Sequence, residues 1–188
     1  MNNVQSGTAN INGTQTYYEI CGKPNGKTLL FLAAAVADGG MYDAQFEAFA
    51  ANYRVVRYDL RGTGRTEAPI PSETPFSFVE DLNKLLAHLK IDKATLIGTS
   101  NGGQVSLDYA LTYPEQVEAL VLASSSLGGY EMTGEPPALM IEISEAMQVG
   151  DMEKVADLGL QMHLAGLDRK LDDLPEATRQ KTRAMMMQ

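Results

Sequence analysis

The sequence predicts an α/β fold: a mostly parallel sheet with helices on both faces, followed by a helical cap. Three observations carry that prediction. Strand-like and helix-like patterns alternate from Thr28 to Ala123, the order that parallel strands joined by crossover helices require. The longest unbroken apolar run, Leu29 to Ala37, has nine residues. That suits a strand buried on both faces and is less than half of a bilayer span. After Ser126 the pattern turns purely helical.

The elements follow in order. Residues 8–21 hold two strand-like runs around Asn12-Gly13, a strong hairpin signal because both positions tolerate positive φ. Lys23-Pro-Asn-Gly26 is a turn. Thr28 to Ala34 reads as a buried strand, and Met41 to Ala51 as a helix with Phe46, Phe49 and Ala50 on one face. A short strand, Arg54 to Tyr58, runs into the Gly-rich loop Asp59-Leu-Arg-Gly-Thr-Gly-Arg65. Leu82, Leu85, Leu86 and Leu89 have helical spacing within Phe78 to Leu89. Lys93 to Ile97 is a strand, Gly102 to Tyr113 a helix stopped by Pro114, and Val117 to Ala123 a strand. Three helices are expected beyond: Ala138 to Val149, then from the N-cap Asp151 to His163, then Glu176 to Met187. The expected division is a core over residues 1–128 and a cap over residues 129–188. Met132, Met140, Met147 and Met162 would form the packing of that cap or an adaptable apolar lining.

Composition narrows the function. Apolar residues make up 44% of the chain, and its formal net charge is −9. An acidic surface repels phosphate backbones and anionic lipid, so neither nucleic acid nor a membrane is expected as a partner. The first residues, MNNVQSGTAN, lack the basic start and apolar stretch of a secretory signal. Cys21 is the only cysteine, which excludes an internal disulfide and a Cys-based zinc site. A cytoplasmic setting with no metal and no cofactor is the expectation. Gly22-Lys-Pro-Asn-Gly-Lys-Thr28 is one residue short of a phosphate-binding loop and leads into a strand, where a helix N-terminus would be needed.

The informative motif is Gly98-Thr-Ser100-Asn-Gly102, a G-x-S-x-G between a strand and a helix. A serine on such a turn projects its Oγ above the sheet. Glycines two residues to either side, Gly98 and Gly102, relieve the crowding. The helix beneath offers free N–H groups to an oxyanion.

Together with this motif, Thr28-Leu-Leu-Phe-Leu32, Met41-Tyr-Asp43, Val55 to Arg65, Tyr113-Pro-Glu-Gln-Val117 and Val121-Leu-Ala-Ser124 resemble the α/β-hydrolase family over roughly residues 10 to 130. The cap is most similar to the enol-lactonase and small-esterase branch. The resemblance implies a serine hydrolase acting on a small carboxylic ester or lactone through a Ser100 acyl-enzyme, with the backbone N–H groups of Asn101 and Ala35 as oxyanion donors. It also implies a sheet in which two further strands cover Val117 to Ala123. Two departures stand out. Ala33-Ala34 occupies the place of the family's usual His-Gly. The family's acid and histidine follow the cap in the order Ser, Asp, His, so they are expected beyond residue 188. The two histidines present, His88 and His163, read as ordinary helix positions. Asp59, Arg61 and Arg65 read as structural loop residues, and Ser124, Ser125 and Ser126 as a polar strand exit or substrate contacts. The alternative is a truncated or non-catalytic binding module without a complete triad. Without covering strands, residues 117–123 form an apolar edge open to self-association.

Overall fold

The computed structural model describes residues 4–67, 75–129, 134–166 and 168–187. The chain divides into two compact units, residues 1–130 and 131–188. In the first, one six-stranded sheet contains β1 (Gln5–Ile11), β2 (Thr14–Gly22), β3 (Thr28–Leu32), β4 (Arg54–Tyr58), β5 (Ala94–Thr99) and β6 (Val117–Ala123) in the order β1-β2-β4-β3-β5-β6. β1, β2 and β4 pair antiparallel. The pairs β4–β3, β3–β5 and β5–β6 are parallel.

The β1–β2 turn has Asn12 at φ 49° and Gly13 at φ 82°, the positive values that a two-residue hairpin of this hand needs. Its position is fixed by side chains. Asn12 donates to Asp81 Oδ1 at 2.8 Å, and Arg61 grips the same carboxylate through Nε (2.7 Å) and Nη2 (2.8 Å). The Arg61 and Asp81 side chains are both buried. The fork-to-fork geometry satisfies their charges away from water.

β3 is central and buried at all five positions. Its alternation sorts the helices onto two faces. Leu30 and Leu32 join Val56, Tyr58 and Leu96 in a core with Leu82, Leu85 and Leu86 of α2 (Phe78–His88) and with Val105 and Tyr109 of α3 (Asn101–Thr112). Phe31 points the other way, toward Tyr42 (ring centroids 4.8 Å apart) and toward Phe49 of α1 (Asp43–Phe49) at 6.2 Å. From β3 the chain moves to β4 on one side, then crosses to β5 on the other. The C-terminal ends of β3 and β5 therefore flank a topological switch point, where ligand crevices form in such sheets.

The structure departs from the sequence expectations at several element ends. β3 stops at Leu32, and Ala33 to Ala37 leaves the ladder in a turn closed by Ala37 N–H to Ala34 O (3.0 Å). The helix expected from Met41 begins as a 3₁₀ turn at Gly39–Tyr42, because Asp38 caps it by accepting from Gly40 N–H at 2.7 Å. Phe49 is 39% exposed although Phe46 and Ala50 beside it are buried. Among the described residues β6 pairs with β5 alone, with Val121 52% and Leu122 41% exposed.

The second unit contains α4 (Ala138–Gln148), α5 (Met152–Leu160) and α6 (Glu176–Met186), with α5 packed between the other two. Asp151 caps α5 by accepting from Lys154 N–H at 3.0 Å. The helical run expected to His163 changes at Leu160 into a π turn over Gln161–Ala165, ended by Gly166 at φ 79°. Small residues, Ala146, Ala156 and Ala165, are buried here, whereas Met140 and Met147 are exposed. The methionine packing expected of this segment is thus not seen at those two positions. Met132 lies outside the described residues.

Candidate active site

Ser100 sits between the last residue of β5 and the first of α3, with φ 52° and ψ −116°. A non-glycine residue in this region is strained by about 1–3 kcal/mol. The backbone around it accounts for its persistence. A Cβ at position 98 would lie 2.4 Å from the Gly102 carbonyl oxygen, and one at position 102 only 2.2 Å from Leu32 O and 2.5 Å from Ala33 O. Only glycine fits at these two positions, because the obstructing atoms are main chain. Ser100 N–H donates to Ala123 O at the end of β6 (3.0 Å), and its carbonyl accepts from Gln104 N–H (3.0 Å). Inside the helix, the buried Ser106 hydroxyl donates to Gly102 O at 2.7 Å. The elbow is therefore held from β3, β6 and α3 at once.

Asn101 opens α3, so its N–H belongs to the first turn, whose donors lack intrahelical acceptors. Ala35 lies in the turn after β3, exposed, and its N–H makes no hydrogen bond among the described residues. Both free donors thus come from the strand ends that flank the switch point. Alanine at positions 33 and 34 does not prevent the turn from forming.

Two residues that sequence reasoning left without a role join these strand ends. The Tyr42 hydroxyl lies 3.1 Å from Leu32 O and 2.7 Å from Thr99 Oγ1. Met41-Tyr-Asp43 is visible as a motif, but nothing in its spacing points to residues 10 and 57 positions away.

The loop after β4 is scaffold. Asp59, 1% exposed, accepts from Gly39 N–H (2.8 Å) through Oδ1 and from Arg65 N–H (2.9 Å) and Nε (3.3 Å) through Oδ2. Arg65 also covers the Tyr17 ring at 3.6 Å. Burial pushes the Asp38 carboxyl above the ordinary aspartate value; the Gly40 N–H bond opposes this, and the nearby Asp59 charge adds to it. Ser124 has φ 46°, Ser125 donates to Ser126 O (3.0 Å), and Ser126 donates to Gln104 Oε1 (2.9 Å). This strand exit is thus bonded locally.

Neither histidine is brought to Ser100 by the first unit. His88 ends α2 against the Tyr18 ring (5.9 Å). The next carbonyl, Leu89 O, accepts from Arg54 at the first residue of β4. Ser100 follows the last residue of β5, so the two lie toward opposite ends of the parallel strands. His163 belongs to the π turn of the second unit.

A serine elbow at the switch point of a mostly parallel sheet defines the α/β-hydrolase architecture, and comparison with known proteins agrees. A sequence model of the alpha/beta hydrolase fold matches residues 27–170, and the chain belongs to that family. A Rhizobium rhizogenes protein that bears the name of a carbamate hydrolase, RutD, is 31% identical over 147 residues, covering 77% of this chain and 56% of its own length. A proline iminopeptidase from Xylella fastidiosa is 37% identical over 110 residues, covering 56% of this chain and 34% of its own. Among solved structures, a hydrolase from Pseudomonas aeruginosa superposes with a TM-score of 0.75 at 29% identity, over 98% of this chain and 67% of that one. The chain thus spans about half or less of the length of these two relatives.

Proposed function

We propose that the chain carries the nucleophile and oxyanion donors of a cytoplasmic serine hydrolase acting on a small, mostly uncharged carboxylic ester or lactone. The observation that carries this reading is the Ser100 elbow, with its positive φ and obligatory glycines at 98 and 102. In this reading Ser100 Oγ forms a bond to the substrate's carbonyl carbon while its proton passes to a base. The carbonyl π pair moves onto oxygen and is met by the N–H groups of Asn101 and Ala35. Collapse of that oxyanion expels the alcohol, which takes a proton, and leaves an acyl-enzyme for water to cleave. The names of the relatives are consistent with acyl chemistry, since carbamates and peptides, like esters, present an acyl carbonyl. The base and acid would come from the share of the relatives' length that these residues do not cover. The setting agrees with a buried Cys21 and with the finding that no helix among the described residues is long and apolar enough to cross a membrane.

Pre-steady-state kinetics test the proposal. Without a base a serine hydroxyl is a poor nucleophile at neutral pH, so the 188-residue chain alone should turn over p-nitrophenyl acetate very slowly. Supplied with imidazole as an external base, it should release one burst of nitrophenolate per chain. Ser100→Ala should show no burst. Absence of a burst in the unmodified chain would instead support a binding module.

A further inference from the structure

We infer that Tyr42 is a positioning residue for the nucleophile, its hydroxyl fastening the exit of β3, which carries the Ala35 N–H, to the elbow that carries Ser100 and Asn101. The inference rests on the serine-hydrolase reading above and assigns a role at the same site.

The two oxyanion donors stand on separate strands, so a means of fixing their separation is needed. The β3–β5 ladder cannot supply it, because its last paired residues are Leu32 and Gly98, before either donor. The approach of Gly102 to the Leu32 and Ala33 carbonyls limits how close the two segments come but does not draw them together. Tyr42 does. Its hydroxyl contacts the carbonyl of Leu32, the last residue of β3, at 3.1 Å, and the hydroxyl of Thr99, the residue before the nucleophile, at 2.7 Å.

The proton arrangement follows from the chemistry of the three groups. A carbonyl only accepts, and a phenol has one proton to give. Tyr42 therefore donates to Leu32 O and accepts from Thr99, forming a directed chain Thr99 to Tyr42 to Leu32. Tyr42 is 7% exposed, and its ring lies against Phe31 with centroids 4.8 Å apart. The hydroxyl thus has little room to re-aim. Burial raises the phenol's pKa, which keeps the donor protonated. Oxyanion donors act only when placed about 2.7–3.1 Å from the developing charge, and a misplacement of about 1 Å can slow a reaction on the order of 100-fold.

The test uses Tyr42→Phe, Thr99→Val and the double variant in the 188-residue chain, with p-nitrophenyl acetate as the probe and imidazole as the external base. Tyr113→Phe is the control, since its hydroxyl bonds Glu80 on the helices at 2.7 Å. Tyr42→Phe should lower the saturating rate of Ser100 acylation by about tenfold or more, with the half-saturating ester concentration unchanged. The double variant should be within about twofold of Tyr42→Phe, because both changes cut the same chain. A filler role would lower the thermal midpoint and leave that rate alone. A rate unchanged in Tyr42→Phe while Ser100→Ala abolishes acylation would overturn this inference and leave the hydrolase reading standing. If the unmodified chain does not acylate, amide NMR decides. The Ala35 and Asn101 resonances should move in Tyr42→Phe and not in Tyr113→Phe; if they stay in place, the inference is wrong.

Discussion

Serine at position 100 holds φ 52° and ψ −116° because its neighbours leave it no alternative, and those neighbours are written in the sequence as Gly98 and Gly102. The letters G-x-S-x-G therefore made both the strain and its remedy legible. Tyr42 and Asp38 were not legible in the same way, since what they do depends on partners brought together by the sheet. Asp38 yields a prediction at this scale. Burial and the Asp59 charge raise its carboxyl, opposed by the Gly40 N–H and by Arg65 and Arg57. A folded-state value above the unfolded one means that the folded chain binds the proton more tightly. That contribution to stability is fully present below the unfolded value of about 3.9 and is lost as pH rises through the folded value. Asp38→Asn keeps an oxygen to cap Gly40 and removes the charge. Its urea midpoint should exceed that of the unmodified chain at pH 7, and the gain should fade toward pH 4 and below. An equal or larger gain in acid would contradict this account.

The elements were legible where one periodicity ruled. β4, buried at Val55, Val56 and Tyr58, and α2, with leucines at helical spacing, lie within a residue or two of expectation. The apolar run from Leu29 to Ala37 carried no signal for its own end. Hydrophobicity favours continuing the strand, but the close approach of Gly102 to the Leu32 and Ala33 carbonyls occupies that place. The Asp38 cap likewise converted the start of an expected helix into a 3₁₀ turn. β6 was read correctly in extent and is exposed along most of its length. With no proline or lysine in Val117 to Ala123, nothing blunts that edge against a second strand. Static light scattering of the 188-residue chain should therefore show a mass that rises with concentration, and Val121→Lys should restore the monomer. A monomeric mass at every concentration in both proteins would refute the edge argument.

For the whole molecule, the sequence conveyed the α/β class, the strand order's parallel core and the family, because each rests on local patterns that repeat along the chain. The source of a general base was not conveyed. His88 is set toward the wrong end of the strands by the direction of α2, and the matched relatives extend well past the length shared with this chain. The fold nevertheless places the strained Ser100, the N–H groups of Asn101 and Ala35 and the bridging Tyr42 hydroxyl together at the ends of β3 and β5, where ligand crevices form in such sheets. The central claim is that Ser100 is the nucleophile. Peptide mapping by mass spectrometry after brief exposure to p-nitrophenyl acetate, with imidazole supplied as an external base, tests it most directly. The account predicts one acetyl group on the peptide containing Ser100, absent in Ser100→Ala and reduced in Tyr42→Phe. Acetyl groups spread over surface lysines, with Ser100 unmodified, would contradict it.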